Sequence, residues 1–358
     1  MCFRARKANR KNDPRMVETL PLTAHAAVEH VADDDRATLF AVAEEIDAIV
    51  ADWLARLGRD RLIVTLATRD FAAGLLVMIR SLRAVSDVPV LVLKLGSWRF
   101  EHEAEDVAAI QVPALVRAGV EARADLPHLS ATLSKLWAFS ITTPCRVAHL
   151  DADCLVLRPI DGLLDGDGFA AAPDLLLHYR LRAFNTGVFS FTPSADLRES
   201  LFRRLPELSV TDGDQSVLNA FFEDWRPLPL GLNFLRSQAL VRALAQDRNL
   251  RILHYTPGKP WTSGPSHPRD HALAPLDDLW TERLSDAEYR DVKRQWQLDV
   301  DAVEQNLTVW ASRSAGLYRD QIADGLTRTR RRLRLWLAGL GLLSAMQTLA
   351  LFWIVLRG

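Results

Sequence analysis

Three cysteines in 358 residues, Cys2, Cys145 and Cys154, form neither a disulfide framework nor a metal-binding spacing. Their scarcity fits a reducing compartment. A charge bias is missing too: 44 Lys and Arg stand against 45 Asp and Glu, for a net charge of −1. That balance argues against a nucleic-acid binder. The first strand-to-helix turn, "TLATRD", has no glycine-rich phosphate loop, so P-loop and dinucleotide-binding readings have no support. No internal repeat or long low-complexity tract is present.

The charge that is there is unevenly placed. Residues 1–15 sum to +5 and residues 328–358 to +6, which leaves −12 on the body between them. Basic ends on an acidic body suit an anionic membrane surface, although a solvated, disordered tail explains residues 1–15 more simply. Residues 335–356, "LWLAGLGLLSAMQTLALFWIVL", carry no charge across 22 positions. As a helix they reach about 33 Å, enough to span a bilayer core. Trp336 and Trp353 lie near the two ends, and five arginines precede the stretch. The positive-inside rule then puts the preceding chain in the cytoplasm, anchored by a single C-terminal pass. A buried or interfacial helix is the alternative for this stretch.

With 49% hydrophobic and 25% charged residues, the body has ordinary globular composition. Residues 1–35 read as a basic tail and polar linker. Residues 36–58 carry apolar positions at helical spacing and end at Gly58. They offer barely three heptads, so packing on the main domain is expected ahead of a dimerising coiled coil, with a homodimer left open. From Arg61, strand and helix patterns alternate: "RLIVTLAT", then helical "FAAGLLVMIRSLRAV", "VPVLVLKL", "EDVAAIQV", helical "SATLSKLWAFSI" and "RVAHL". This predicts an α/β domain over 59–275, with a mostly parallel sheet flanked by helices. Residues 276–334 read as a charged helical stalk leading to the membrane segment.

"HLDADCLVLRPID", residues 149–161, places Asp151 and Asp153 where a strand leaves the core, the end at which such sheets bind ligands. On an extended strand, i and i+2 point the same way, so both carboxylates would aim at one spot. Buried together they need a cation, and hard oxygen donors suit Mn2+ or Mg2+. Taken alone, so short a motif is more often a surface turn with two solvated acids.

Six blocks supply the context. "TLATRDFAAGLLVMIRSLR", "TLSKLWAF", "LDADCLVLRPIDGLL", "FNTGVFSFTPS", "TDGDQSVLNAFF" and "HYTPGKPW" resemble, in family order over residues 61–261, the signatures of family 8 glycosyltransferases, the glycogenin and galactinol synthase group. The resemblance implies a GT-A fold (Rossmann-like), a UDP-sugar donor, Mn2+ with Mg2+ as the alternative, and transfer with retention of configuration. It implies Asp151, Asp153 and His254 as metal ligands. Leu66 and Thr68 lie where uridine is held, and Lys135 matches a lysine near nucleotide and donor sugar. Ala152, Asn185, Thr186, Gly187 and Gly258 belong to the blocks that contact the donor. Asp214 and Gln215 match the pair beside the anomeric carbon, and Lys259 the lysine that neutralises the departing diphosphate. Alone, His254 reads as a strand-end histidine, Lys135 and Lys259 as surface cations, and "DGDQ" as a helix cap.

The chain also departs from the pattern. Arg69 stands where Asn is usual and Ala72 where Tyr is frequent, leaving Phe71 as a substitute for stacking on uracil. Four residues separate His254 from Lys259, one fewer than usual. Arg182 replaces a frequent acid, which leads us to expect a carboxylate-bearing donor such as UDP-glucuronate. No tyrosine occurs in "GLNFLRSQALVRALAQDRNL", so a separate acceptor is expected, be it a glycan, a lipid-linked sugar or a protein. Competing readings are a non-catalytic UDP-sugar-binding relative or membrane scaffold, and a metal-dependent nucleotidyltransferase.

Overall fold

The computed structural model describes residues 18–295, except for 24, 26–27, 102–105, 118–130, 175–182, 209–212, 238–248, 257 and 263–267. Among the described residues no helix is long and apolar enough to cross a membrane. The expected membrane helix at 335–356 and most of the expected stalk lie outside them.

The centre is an eight-stranded sheet in the order β1-β5-β4-β3-β7-β10-β9-β11. Its strands are β1 (Glu18–Thr19), β3 (Arg61–Ala67), β4 (Val90–Leu95), β5 (Val107–Val112), β7 (Arg146–Leu150), β9 (Ala170–Pro173), β10 (Phe184–Phe191) and β11 (Arg226–Pro227). Only β10 runs against its neighbours, pairing antiparallel with both β7 and β9. Two small sheets sit beside it. One pairs β2 (His30–Ala32) with β6 (Ala114–Val116), and the other orders β12 (Phe234–Leu235), β13 (Ile252–His254) and β8 (Cys154–Val156).

Period-two alternation sorts the sheet's side chains onto two cores. Leu62, Val64, Leu91, Leu93 and Val147 face one side. There α1 (Arg36–Leu57) covers them with Leu39, Val42, Ile46, Val50 and Trp53. Ile63, Val90, Val92 and Ala148 face the other, under Leu75, Met78, Ile79 and Leu82 of α2 (Ala72–Arg83). The α1 face is thus taken up within this core, against the Ser134–Ser140 stretch and the helix Ala195–Arg204. Asp35 starts this helix by accepting the Thr38 backbone N–H at 3.2 Å, and Gly58 ends it in the left-handed region at φ +62°.

Three expectations are corrected. Residues 18–35 are not a plain linker: β1 and β2 fall inside them, and Leu20, Leu22 and Val31 are buried in the first core. The polar surroundings hide these short apolar anchors from a periodicity reading. Within the helix expected over 130–141, the described residues are α-helical only at 131–133 and then wind as a 3-10 stretch, Ser134–Ser140. Every side chain of that stretch is buried, and packing sets its tighter winding. The boundary expected after residue 275 falls within a helix, Pro268–Thr281, whose Trp280 is buried against Trp261 at a ring separation of 5.3 Å. Arg80 of α2 holds the following helix, 286–295, through Glu288 at 2.7 Å.

Removing the Trp280 ring leaves a large void beneath that helix. We expect Trp280→Ala to cost about 3–5 kcal/mol of unfolding free energy in urea titration. A cost below about 1 kcal/mol would show that this helix is not part of the folded core.

Candidate active site

Parallel pairing sends the carboxyl ends of β3 and β7 to one edge of the sheet. Antiparallel β10 brings its amino-terminal end, Asn185–Gly187, to the same edge, where Gly187 O accepts the Asp151 N–H at 2.8 Å. A cavity of about 320 Å³ opens there. It is lined by Leu66, Thr68, Lys135, Asp151, Ala152, Asp153, Asn185, Thr186, Gly187, Asp214, Gln215, His254 and Lys259. All but one of the expected site residues therefore meet in a single place. The exception is Gly258, which is not part of the lining; a Cβ there would meet the Arg236 guanidinium, itself fixed by Asp277 at 2.6 Å. Arg182 lies outside the described residues.

Asp151 and Asp153 converge for a different reason than alternation along a strand. β7 ends at Leu150, and the Cys154 N–H closes a turn onto Asp151 O at 3.0 Å. That turn swings both acids toward β13. His254 pairs in register with Cys154, and the Tyr255 N–H reaches Asp153 O at 3.0 Å, which fixes the histidine opposite the turn.

Each carboxylate uses one oxygen on the protein. Asp151 Oδ1 takes Lys135 Nζ at 2.8 Å and His149 Nε2 at 3.0 Å. Asp153 Oδ2 takes Lys259 Nζ. The other two oxygens face His254 Nε2, at 3.7 Å from Asp151 Oδ2 and 3.2 Å from Asp153 Oδ1. Ligands of a bound divalent cation sit about 3 Å apart, so the His254 and Asp153 atoms are spaced for a metal such as Mn2+ or Mg2+, with Asp151 Oδ2 beside them. The Cys154 sulfur lies within 4.8 Å of the Asp153 and His254 donors. Burial pushes this thiol well above its usual value, so it stays protonated and is the poorer candidate.

Charge is balanced tightly around the pocket. Burial works against the charged form of Asp151, but Lys135 and His149 outweigh it and hold the carboxyl well below the usual range. Asp153 is likewise lowered against its burial, by His254 and Lys259. Lys135, 5% exposed, bridges Asp151 and Asp214 at 2.8 and 2.9 Å. Burial would depress its ammonium, yet the two acids raise it above normal. Burial lowers His149, leaving a neutral ring stacked on Phe189 at 4.8 Å.

Asp214 and Gln215 open α3 (Gly213–Phe221). One turn later, Asn219 accepts the Phe184 N–H and donates to Phe184 O, both at 2.9 Å, docking the helix on β10. Gln215 Oε1 accepts from Asn185 Nδ2 at 3.0 Å, and Gln215 Nε2 donates to Asp174 at 2.9 Å. Phe71 walls the other side of the cavity, edge-on to Trp261 and 5.5 Å from Lys259 Nζ. His149 and Asp174 escaped sequence reasoning. His149 sits two residues before Asp151 on the same strand face, a signal that was there to use, whereas nothing local marks Asp174.

No family model matches the sequence. Glycogenin-1 of Caenorhabditis elegans is 31% identical over 221 residues, covering 55% of this chain and 50% of that protein. The UDP-glucuronate:xylan alpha-glucuronosyltransferase 1 of Arabidopsis thaliana is 28% identical over 186 residues, 49% of this chain and 26% of that one. The chain spans about half the length of the first of these relatives and about a quarter of the second. The solved apo structure of the bifunctional glycosyltransferase WbbM superposes at a TM-score of 0.50 with 14% identity, over 66% of this chain and 52% of that one, a likeness of fold alone.

Gly187 gives the site a sharp test. A Cβ there would overlap the His254 ring, so the close approach requires glycine. We expect Gly187→Ala to move His254 off the acids and lower divalent-cation affinity about 10–100-fold by calorimetry, with unchanged far-UV circular dichroism. Wild-type affinity in this variant would mean that His254 is not a ligand. The similarity to glycogenin-1 and the mostly parallel sheet of the solved glycosyltransferase kind support placing the chain among family 8 glycosyltransferases.

Proposed function

We propose that this protein is a metal-dependent hexosyltransferase that moves a sugar from a UDP-sugar to a separate acceptor with retention of configuration. The observation that carries this reading is that Asp151 Oδ2 and Asp153 Oδ1 lie 3.7 and 3.2 Å from His254 Nε2, in the lining of one cavity that also holds Lys259 and Gln215. A divalent ion held by these three groups would neutralise diphosphate charge and act as a Lewis acid on the leaving group.

The chain's own residues supply the rest. Leu66, Thr68 and Phe71 line the wall suited to a planar base. Lys259 spans Asp153 and the Tyr255 carbonyl, at 2.7 Å from the latter, so its ammonium is positioned to turn toward an incoming diphosphate and stabilise the departing one. Lys135 holds Asp151 and Asp214 in fixed relation. Gln215 offers its amide oxygen beside Asn185 and Thr186, where a developing positive charge at the anomeric carbon would be stabilised on one face. Residues 335–356 serve, in this reading, as a membrane anchor with the catalytic domain on the cytoplasmic side, which suits an acceptor at the membrane.

For the donor we favour UDP-glucuronate over UDP-glucose. Arg182 replaces an acid in the block that precedes Asn185, and a glucuronosyltransferase is among the relatives. UDP release by the purified protein, measured with each donor and Mn2+, tests the whole reading. We expect release that chelator abolishes, a preference for the carboxylate-bearing donor, and a loss of at least about 100-fold in Asp153→Ala. Full activity in Asp153→Ala would refute the metal assignment, preference for UDP-glucose would refute the donor assignment, and no release with any UDP-sugar would leave a non-catalytic binder.

A further inference from the structure

Asn233 has so far had no part in the account. It is 2% exposed and sits just after the 3-10 turn Leu230–Leu232 that precedes β12. Its backbone is pinned there: the Asn233 N–H donates to Leu230 O at 3.1 Å, and the Arg251 N–H to Gly231 O at 2.7 Å. Its side chain lies between two groups of the active site. Asn233 Nδ2 is 2.8 Å from Asn185 Oδ1, and Asn233 Oδ1 is 2.9 Å from His254 Nδ1.

The direction of this chain of hydrogen bonds follows from its ends. The Gly187 backbone N–H, which can only donate, meets the Asn185 side chain at 2.9 Å, so the atom it meets is the oxygen. That oxygen can only accept, so Asn233 turns its NH2 toward it. The Asn233 oxygen is left facing His254 Nδ1, and Nδ1 must then carry a proton. In the neutral ring Nε2 is then the lone pair, on the side of Asp151 and Asp153. At the far end the logic agrees: Asn185 Nδ2 donates to Gln215 Oε1, and Gln215 Nε2 donates to the Asp174 carboxylate. Without Asn233, the neutral imidazole would place its proton on Nε2, where two carboxylate oxygens wait to accept it.

We propose that Asn233 is a positioning residue for His254, holding the imidazole as the Nδ1–H tautomer so that Nε2 can ligate a metal. This rests on the reading of His254 as a metal donor, and through Asn185 the same chain of amides also orients Gln215.

The test reads the histidine itself. Long-range 1H–15N spectra of the metal-free full chain at pH 9, with His254 assigned by comparison with His254→Gln, report which ring nitrogen bears the proton. We expect the Nδ1–H form in the wild type, the same form in Asn233→Asp, and the Nε2–H form in Asn233→Leu. By calorimetry, Mn2+ should bind Asn233→Leu about 10–100-fold more weakly, with affinity largely restored in Asn233→Asp. An Nε2–H wild type, or an unchanged tautomer in Asn233→Leu, overturns the proposal whether or not that variant folds as well as the others. If the wild type binds no Mn2+, the metal reading falls, and the tautomer spectra still decide the role of Asn233.

Discussion

Two carboxylates, Asp151 and Asp153, face one imidazole, His254, and the rest of the site is arranged around that meeting. Asp151 Oδ2, Asp153 Oδ1 and His254 Nε2 converge in a partly dry pocket, and their mutual repulsion calls for a cation. Much of the surrounding structure serves to impose that meeting. The turn after β7 bends both acids out of the sheet, the β13–β8 register sets the histidine opposite, and Gly187 leaves room for its ring.

The charges around that point are arranged to make it selective. Lys135 and Lys259 each consume one carboxylate oxygen and leave the other directed inward. With Asp214 included, three carboxylates meet two ammonium groups. A residual negative charge remains, which favours a divalent cation and then, through that cation, an anionic diphosphate. Lys135 also ties the metal side of the pocket to α3, where Gln215 sits. The chemistry at the sugar and the binding of its nucleotide therefore share one scaffold.

Much of this was legible in the sequence, and what was not has physical reasons. The alternation in β3 and β4 and the helical spacing of α1 and α2 are strong because each buries one face on a large core. The residues of the pocket were legible through the six blocks, not through periodicity, since the pocket assembles them from β3, the turn after β7, β10, β13 and α3. Short anchors such as Leu20 and Val31 were invisible because two or three apolar residues make no period. The Ser134–Ser140 stretch was misjudged because packing on all sides overrides helical spacing. Asn233 and Asp174 had no local mark at all: their roles exist only through hydrogen bonds to residues 21 or more positions away.

The most direct test of the central claim is anomalous diffraction at the manganese edge from crystals grown with Mn2+ and UDP. The account predicts one strong peak within bonding distance of Asp151 Oδ2, Asp153 Oδ1 and His254 Nε2. A peak elsewhere, or Mn2+ and UDP bound with no metal between these three atoms, would contradict it.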